Sequence, residues 1–259
     1  MRAGHAAGTW VLLRGLTRER RHWGPVPDML RAACPGASVL TPDLPGNGSL
    51  HTERSTTRVG AMVEAIRRQL REQGVAMPVH LLALSLGGMV AVDWAARWPA
   101  EVAGAVLVNT SMRPFSAFQQ RLLPANYPAL ARLALGGGAG PRAREQAVLR
   151  LTSARPADHQ ALLDDWAAWR VERPVSPSNA LRQLLAAARF RVPAQPPAVP
   201  LLVLASAGDR LVDPACSRRL AAAWGLPLAE HPLAGHDLPL DEPQWVVEQV
   251  TRWLAQRGR

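Results

Sequence analysis

The chain has 259 residues, of which 48% are hydrophobic and 19% charged, a composition typical of a globular protein with a substantial core. No apolar run approaches the ~20 residues of a membrane-spanning helix. The apolar stretch near the amino terminus ends at Arg14 without a secretory pattern, so we expect a cytoplasmic protein. The formal net charge is +10, and every lysine-or-arginine position is an arginine. These arginines are scattered and form no basic block that would indicate nucleic-acid binding.

Short apolar segments alternate with helical patterns in the first part of the chain. Strands are predicted at Thr9–Leu13, 38–41, Val79–Leu84 and Val102–Val108, and helices at 23–33, 57–72 and 87–98. Such alternation predicts an α/β fold, with a mostly parallel sheet and helices on both of its faces.

The pattern changes between residues 112 and 191, where we expect helices and no strand. Helical stretches are predicted at 115–123, 142–151, 157–171 and 179–190, and the glycine-rich segment 136–140 interrupts them as a flexible joint. The first pattern then returns, with strands at 201–204 and 228–230 and helices at 214–224 and 243–256. The helical segment is therefore an insertion into the α/β core.

Ser85 stands where the strand Val79–Leu84 turns abruptly into a helix. A serine at such a turn requires close approach of the strand and helix backbones, and its neighbours Ala83 and Gly87 are both small. This is the nucleophile-elbow pattern, with alanine in place of the usual first glycine. The alternative is a serine that only caps the following helix.

Two further polar residues follow predicted strands, Asp209 and His236. The carboxyl ends of parallel strands meet at one edge of a sheet, so both can approach Ser85 there, in the chain order nucleophile, acid, histidine. A serine hydroxyl needs a base to take its proton, and the base needs a carboxylate to orient it. Asp213 competes with Asp209 but is better placed to cap the next helix, and Asp237 is expected to be a loop residue that points away. The histidines that compete with His236 are His22, His51, His80, His159 and His231.

These motifs together resemble those of α/β-hydrolases of the small serine esterase kind. The matching segments are Leu13-Arg14-Gly15-Leu16 with Trp23, residues 43–48, residues 83–88, residues 208–212 and Gly235-His236. The resemblance implies Ser85 as the nucleophile, His236 as general base and acid, and Asp209 as the orienting carboxylate. It also implies an oxyanion hole formed by the backbone N–H groups of Leu16 and Leu86. Many relatives have His-Gly where this chain has Arg14-Gly15.

The resemblance further implies a core made of residues 1–111 and 200–259 and a helical lid made of residues 112–199. The expected activity is hydrolysis of carboxylic esters or thioesters, without a metal or another cofactor. The lid carries twelve arginines, so an acidic acyl carrier protein or a carboxylate-bearing substrate is an expected partner beside a small-molecule ester. Two alternatives stay open: the same triad used in a lyase or acyl-transfer reaction, and a degenerate member of the fold used as a binding protein.

Overall fold

The computed structural model describes residues 8–134 and 140–257, and the predicted joint at 136–140 lies outside them except for its last residue. The strands are β1 (Thr9–Leu13), β2 (Ser38–Leu40), β3 (Val79–Leu84), β4 (Val102–Val108), β5 (Leu201–Ser206) and β6 (Leu228–His231). They form one parallel sheet in the order β2-β1-β3-β4-β5-β6. The predicted α/β class is confirmed.

Eleven α-helices accompany the sheet in the described part of the chain. They are α1 (Val26–Ala33), α2 (Val59–Glu72), α3 (Leu86–Arg97), α4 (Phe118–Arg121), α5 (Tyr127–Ala134), α6 (Pro141–Thr152), α7 (Leu163–Glu172), α8 (Pro177–Arg189), α9 (Ala215–Trp224), α10 (Leu238–Asp241) and α11 (Pro243–Arg257). The helix predicted from residue 23 starts instead at Val26, after a short 3₁₀ turn at Arg20–Trp23, because Gly24 has a left-handed backbone with φ 53° and Pro25 follows it. Helices α5 and α10 were not predicted.

The core lies on both faces of the sheet, because successive side chains of β1 point to opposite faces and pack against helices there. Val11 and Leu13 pack with α2, α3 and α9, whereas Trp10 and Leu12 pack with α1 and α11 on the opposite face. All four side chains are at most 2% exposed. The apolar strands are thus buried on both faces, as parallel strands require.

Helices α4 to α8 all lie between β4 and β5 in sequence, as the insertion was predicted to lie. An isolated parallel bridge between Arg113 and Arg191 joins the two ends of this segment. Gln183 of α8 is completely buried, donates to Asn47 Oδ1 at 2.7 Å and accepts from Thr17 N at 2.9 Å. Buried polar contacts of this kind hold the lid segment against the loops of the sheet.

The order of the strands reverses at β1, because the chain moves from β1 outward to β2 and then returns to β3 on the other side. In an open parallel sheet, the crevice at such a reversal, beyond the carboxyl ends of the strands, is where ligands bind. The segments that leave β1 and β3 are therefore the place to look for a site. In residues 8–134 and 140–257, every helix is too short or too polar to cross a bilayer.

Candidate active site

Ser85 lies at a strained turn between β3 and α3. Its backbone has φ 56° and ψ −114°, a conformation that side-chain-bearing residues rarely adopt. The turn needs glycine around it, since a Cβ on Gly87 would lie 2.2 Å from the carbonyl oxygen of Leu13, and one on Gly15 would lie 3.3 Å from Ser85 Cβ. The hydroxyl is thereby presented outward at the edge of the sheet while its backbone N–H donates to Val108 O at 2.9 Å.

Asp209 and His236 form a buried hydrogen-bonded pair. His236 Nδ1 lies 2.7 Å from Asp209 Oδ2, and the two residues are 5% and 6% exposed. The other carboxylate oxygen, Oδ1, accepts from the backbone N–H groups of Leu211 at 2.9 Å and Val212 at 3.0 Å. Asp209 is thus fixed on both oxygens, and it orients the imidazole so that Nε2 is its free nitrogen.

The surroundings of His236 favour its charged form. Burial is the largest influence and lowers its pKa, but the Asp209 carboxylate, with a smaller contribution from Asp237, raises the pKa above its ordinary value. Arg14 acts in the opposite direction. An imidazole of this kind is a stronger base than a free one, and its protonated form is stabilised in place.

The loop that carries His236 is held by two buried side chains from outside it. Asn109 Nδ2 donates to the carbonyl oxygens of His236 at 2.9 Å and Gly235 at 3.2 Å, and Asn109 Oδ1 accepts from Ser206 N at 2.8 Å. Asp241 Oδ2 accepts from Gly235 N at 2.7 Å. Neither contact was predicted from the sequence.

Ser85 and His236 face the same cavity, whose volume is about 280 Å³. Among the described residues, no hydrogen bond joins Ser85 Oγ to the His236 imidazole. In enzymes without bound substrate, the distance between a nucleophile and its base is often long. Leu16 also lines the cavity, and Leu86 is the first residue of α3, where backbone N–H groups have no acceptor within the helix. Of the five predicted site residues, Ser85, His236 and Leu16 line the cavity. Asp209 is bonded to His236, and Leu86 directly follows Ser85 in the chain.

The cavity wall is mostly apolar and comes largely from the lid segment. The apolar lid residues in the wall are Leu122, Leu130, Leu133, Val148, Leu151, Val175, Pro177, Ala180, Leu181 and Leu184. Arg144 and Arg170 of the lid also line the cavity, as do Arg14 and Arg18 of the core. An apolar chain with polar ends is the kind of molecule that this wall can surround.

Asp237 lies in a loop, as expected, but its side chain does not point away from the site, and this part of the expectation was wrong. Its carboxylate is buried and receives both terminal nitrogens of Arg14, with Nη2 to Oδ2 at 2.6 Å and Nη1 to Oδ1 at 3.1 Å. Arg14 is itself only 4% exposed. This planar, two-point pair compensates the charge of the buried arginine.

The competing residues have other partners. Asp213 Oδ1 accepts from Ala215 N at 2.9 Å, at the start of α9, as predicted. The remaining histidines bond or stack as follows: His22 with Arg18, His51 with the Gly48 carbonyl, His80 on the Trp10 ring, His159 with Asp241, and His231 with the N–H groups of Leu233 and Ala234. Burial lowers the pKa of His80 to about 4, with a further contribution from Arg257.

The described residues contain no group of three or more His, Cys, Asp or Glu side chains arranged to hold a metal ion.

Residues 10–249 match the model of a family described as the alpha/beta hydrolase family. A protein of Variovorax paradoxus (strain S110) with the name "Putative carbamate hydrolase RutD" is 30% identical over 226 residues, which are 84% of this chain and 80% of that protein. The biotin biosynthesis bifunctional protein BioHC of Cellvibrio japonicus (strain Ueda107) is 39% identical over 103 residues, 40% of this chain but only 19% of that longer protein.

Among solved structures, the enol-lactonase from Burkholderia xenovorans LB400 superposes with a TM-score of 0.78. The superposition covers 98% of this chain and 94% of that chain at 20% sequence identity. At this identity, the likeness is one of fold.

Proposed function

Since the chain belongs to the α/β-hydrolase family, we propose that it is a serine hydrolase that cleaves carboxylic esters or thioesters through an acyl-enzyme. The observation that carries the proposal is the buried Asp209–His236 pair beside a cavity that Ser85 also lines. In this proposal Ser85 is the nucleophile, His236 the general base and acid, and Asp209 the residue that orients the imidazole.

The proposed reaction has two halves. His236 Nε2 takes the proton of Ser85 Oγ as this oxygen attacks the carbonyl carbon, and the imidazolium then protonates the departing alcohol or thiol. Water, deprotonated by the same imidazole, attacks the acyl-serine, and the acid leaves with Ser85 restored. The raised pKa of His236, which follows from the Asp209 carboxylate despite the opposing effect of burial, supports the imidazolium that both halves require.

The oxyanion of each tetrahedral intermediate needs donors that are already aimed at it. We propose the backbone N–H groups of Leu16 and Leu86 for this role. Their support is that Leu16 lines the cavity beside Gly15, which packs on Ser85, and that Leu86 directly follows Ser85 at the start of α3. A helix start also places a partial positive charge near the oxyanion.

We also propose an acidic acyl carrier protein as the donor of the acyl group. Its support is the charge of the lid segment, which has twelve arginines against five acidic residues. The exposed arginines of this segment are Arg113, Arg132, Arg142, Arg150, Arg155, Arg189 and Arg191. A field of this sign favours the encounter with an acidic protein, and the encounter rate is then expected to fall as salt is added.

The test of the hydrolase is Ser85→Ala, assayed with p-nitrophenyl esters of increasing chain length. We expect loss of hydrolysis with an unchanged circular dichroism spectrum, while the control Ser178→Ala, at an exposed position of α8, keeps full activity. Hydrolysis that survives in Ser85→Ala would overturn the proposed nucleophile.

Mass spectrometry of the quenched reaction separates an acyl-enzyme mechanism from a lyase and from a binding protein. A hydrolase is expected to carry an acyl adduct on Ser85 during turnover. A lyase that uses the same residues for proton abstraction would turn over its substrate without an adduct on Ser85. A binding protein would show neither turnover nor an adduct.

A further inference from the structure

The cavity wall contains an arginine whose guanidinium is only partly paired. Arg18 is 7% exposed, and its Nη1 donates to Glu145 Oε2 at 2.5 Å and lies 3.0 Å from His22 Nε2. Its Nη2 is buried and has no hydrogen-bond partner in the described part of the chain. Buried donors are almost always satisfied, and an unsatisfied one destabilises the fold, so Nη2 keeps a hydrogen-bonding capacity that no described residue uses.

The charges around Arg18 do not balance. Glu145 serves two guanidinium groups, because its Oε1 also accepts from Arg170 Nε at 2.6 Å. Burial acts to raise the pKa of Glu145, but Arg18 and Arg170 together lower it below its ordinary value, so the carboxylate is charged. Burial, and then the charges of Arg18 and Arg14, keep the pKa of His22 well below its ordinary value, so this ring is neutral. Arg18 and Arg170 thus share one carboxylate, and one of their two positive charges has no compensating anion among the residues that the structure describes.

The position of Arg18 relates it to Ser85 through a short turn. Arg18 N donates to Gly15 O at 3.3 Å, and Gly15 packs directly on Ser85. The guanidinium carbon lies 4.6 Å from the centre of the Trp166 ring, which holds the plane of the group in place. Both Arg18 and Arg170 line the cavity that Ser85 enters.

From this arrangement we propose that Arg18, supported by Arg170, binds a carboxylate at the end of the substrate remote from the scissile bond. The preferred substrates are then esters or thioesters whose acyl group ends in a free carboxylate, with an apolar stretch between the two ends. A carboxylate matches the single uncompensated charge and can accept a hydrogen bond from the unpartnered Nη2, whereas a phosphate dianion would leave an excess negative charge in a buried place. The inference rests on the proposed ester or thioester hydrolysis.

The kinetic test compares two matched substrates, a thioester of a linear dicarboxylic acid and the same thioester with its free carboxylate converted to an amide. In the wild type we expect kcat/KM to be about tenfold or more higher for the carboxylate form. Arg18→Gln should bring this ratio close to one. The control is Arg142→Gln, which removes the same charge from an exposed lid position where Arg142 pairs with Asp164. It should leave the ratio unchanged.

A second variant covers the case in which Arg18→Gln fails to fold. Glu145→Gln removes the negative charge that Arg18 and Arg170 share, so the preference for the carboxylate form is expected to increase. A preference that stays the same or decreases in Glu145→Gln contradicts the proposal, as does a wild type that hydrolyses both forms equally.

Binding separates this inference from the hydrolase itself. Calorimetry with Ser85→Ala, using linear dicarboxylates of increasing length and the monoamide of each, needs no turnover. Tighter binding of a dicarboxylate than of its monoamide, lost on adding Arg18→Gln, supports the subsite even if no ester is cleaved. Hydrolysis of esters without any such preference leaves the hydrolase standing and removes the subsite.

Discussion

Replacing Asp209 by asparagine tests the proposed triad with almost no change of shape. Asp209 Oδ1 accepts two backbone N–H groups, from Leu211 and Val212, so an asparagine in its place would keep its oxygen there. Its NH₂ group would then face His236 Nδ1, where the carboxylate oxygen now lies at 2.7 Å. The imidazole would have to accept at Nδ1 and carry its proton on Nε2, the nitrogen that must take the proton of Ser85.

The expected loss follows from this wrong tautomer and from the missing negative charge. In a serine triad the equivalent change lowers kcat by about 10⁴-fold. That factor corresponds to about 5.5 kcal/mol of transition-state stabilisation, at about 1.4 kcal/mol for each tenfold change. We expect kcat/KM of Asp209→Asn to decrease by this order on any ester that the wild type cleaves.

The pH dependence supplies a second measurement with a defined sign. His236 acts as a base only when neutral, and its pKa in the wild type is raised by Asp209 against the effect of burial, so activity should rise as pH passes through this raised value. In Asp209→Asn, burial and Arg14 still lower the pKa of His236, while the carboxylate that raised it is gone. The pKa of His236 therefore falls, and the remaining activity should begin to rise at a lower pH than in the wild type. The stability that the Asp209–His236 pair adds is fully present below about pH 6.5, the unfolded pKa, and is lost as pH rises through the folded value.

Asp213→Asn is the matched control, since Asp213 caps the start of α9 and does not contact His236. It should keep the wild-type pH profile and activity. Asp209→Asn with activity within tenfold of the wild type, or with its pH limb moved upward, would refute the reasoning.

Two further predictions concern stability, measured as the free energy of urea unfolding. Gly87→Ala should lower it by about 3 kcal/mol or more, because the new Cβ would lie 2.2 Å from Leu13 O. Gly140→Ala, whose new Cβ would meet no described residue within 4 Å, should change it little, and equal effects of the two variants would contradict the crowding argument. Arg14→Met should cost about 3–5 kcal/mol by leaving Asp237 buried and unpaired, and adding Asp237→Leu should recover part of this. A double variant that is less stable than Arg14→Met would show that the pair is not the cause.

The sequence was sufficient for the sheet and for the residues at the strand ends because the signals involved are local. The apolar segments Thr9–Leu13 and Val79–Leu84 have the length of buried parallel strands, and strand ends of a parallel sheet converge whatever the loops contain. Small residues on both sides of Ser85 predicted the tight turn. The conformation of Ser85, with φ 56°, is the physical reason for these small neighbours.

The sequence was not sufficient where a residue's role depends on a partner far along the chain. Arg14 and Asp237 are separated by 223 residues, and neither residue type indicates burial on its own. Adjacency to His236 suggested that Asp237 would point away, but the need to compensate Arg14 turns its carboxylate into the protein. The pair of Arg18 with Glu145, 127 residues apart, was missed for the same reason.

The carboxylate of Asp241 bonds both the lid segment and the loop of His236. Its Oδ1 accepts from Ser153 Oγ at 2.6 Å, and its Oδ2 accepts from Ala154 N at 2.9 Å and from Gly235 N at 2.7 Å. Burial acts to raise the pKa of Asp241, but the hydrogen bonds from His159, Ser153 and these backbone groups lower it. Its stabilising effect is therefore present above the unfolded pKa of about 3.9 and is lost as pH falls through the lower folded value. Because one group bonds both segments, displacement of the lid at residues 153–154 changes the support of the residue next to the proposed base.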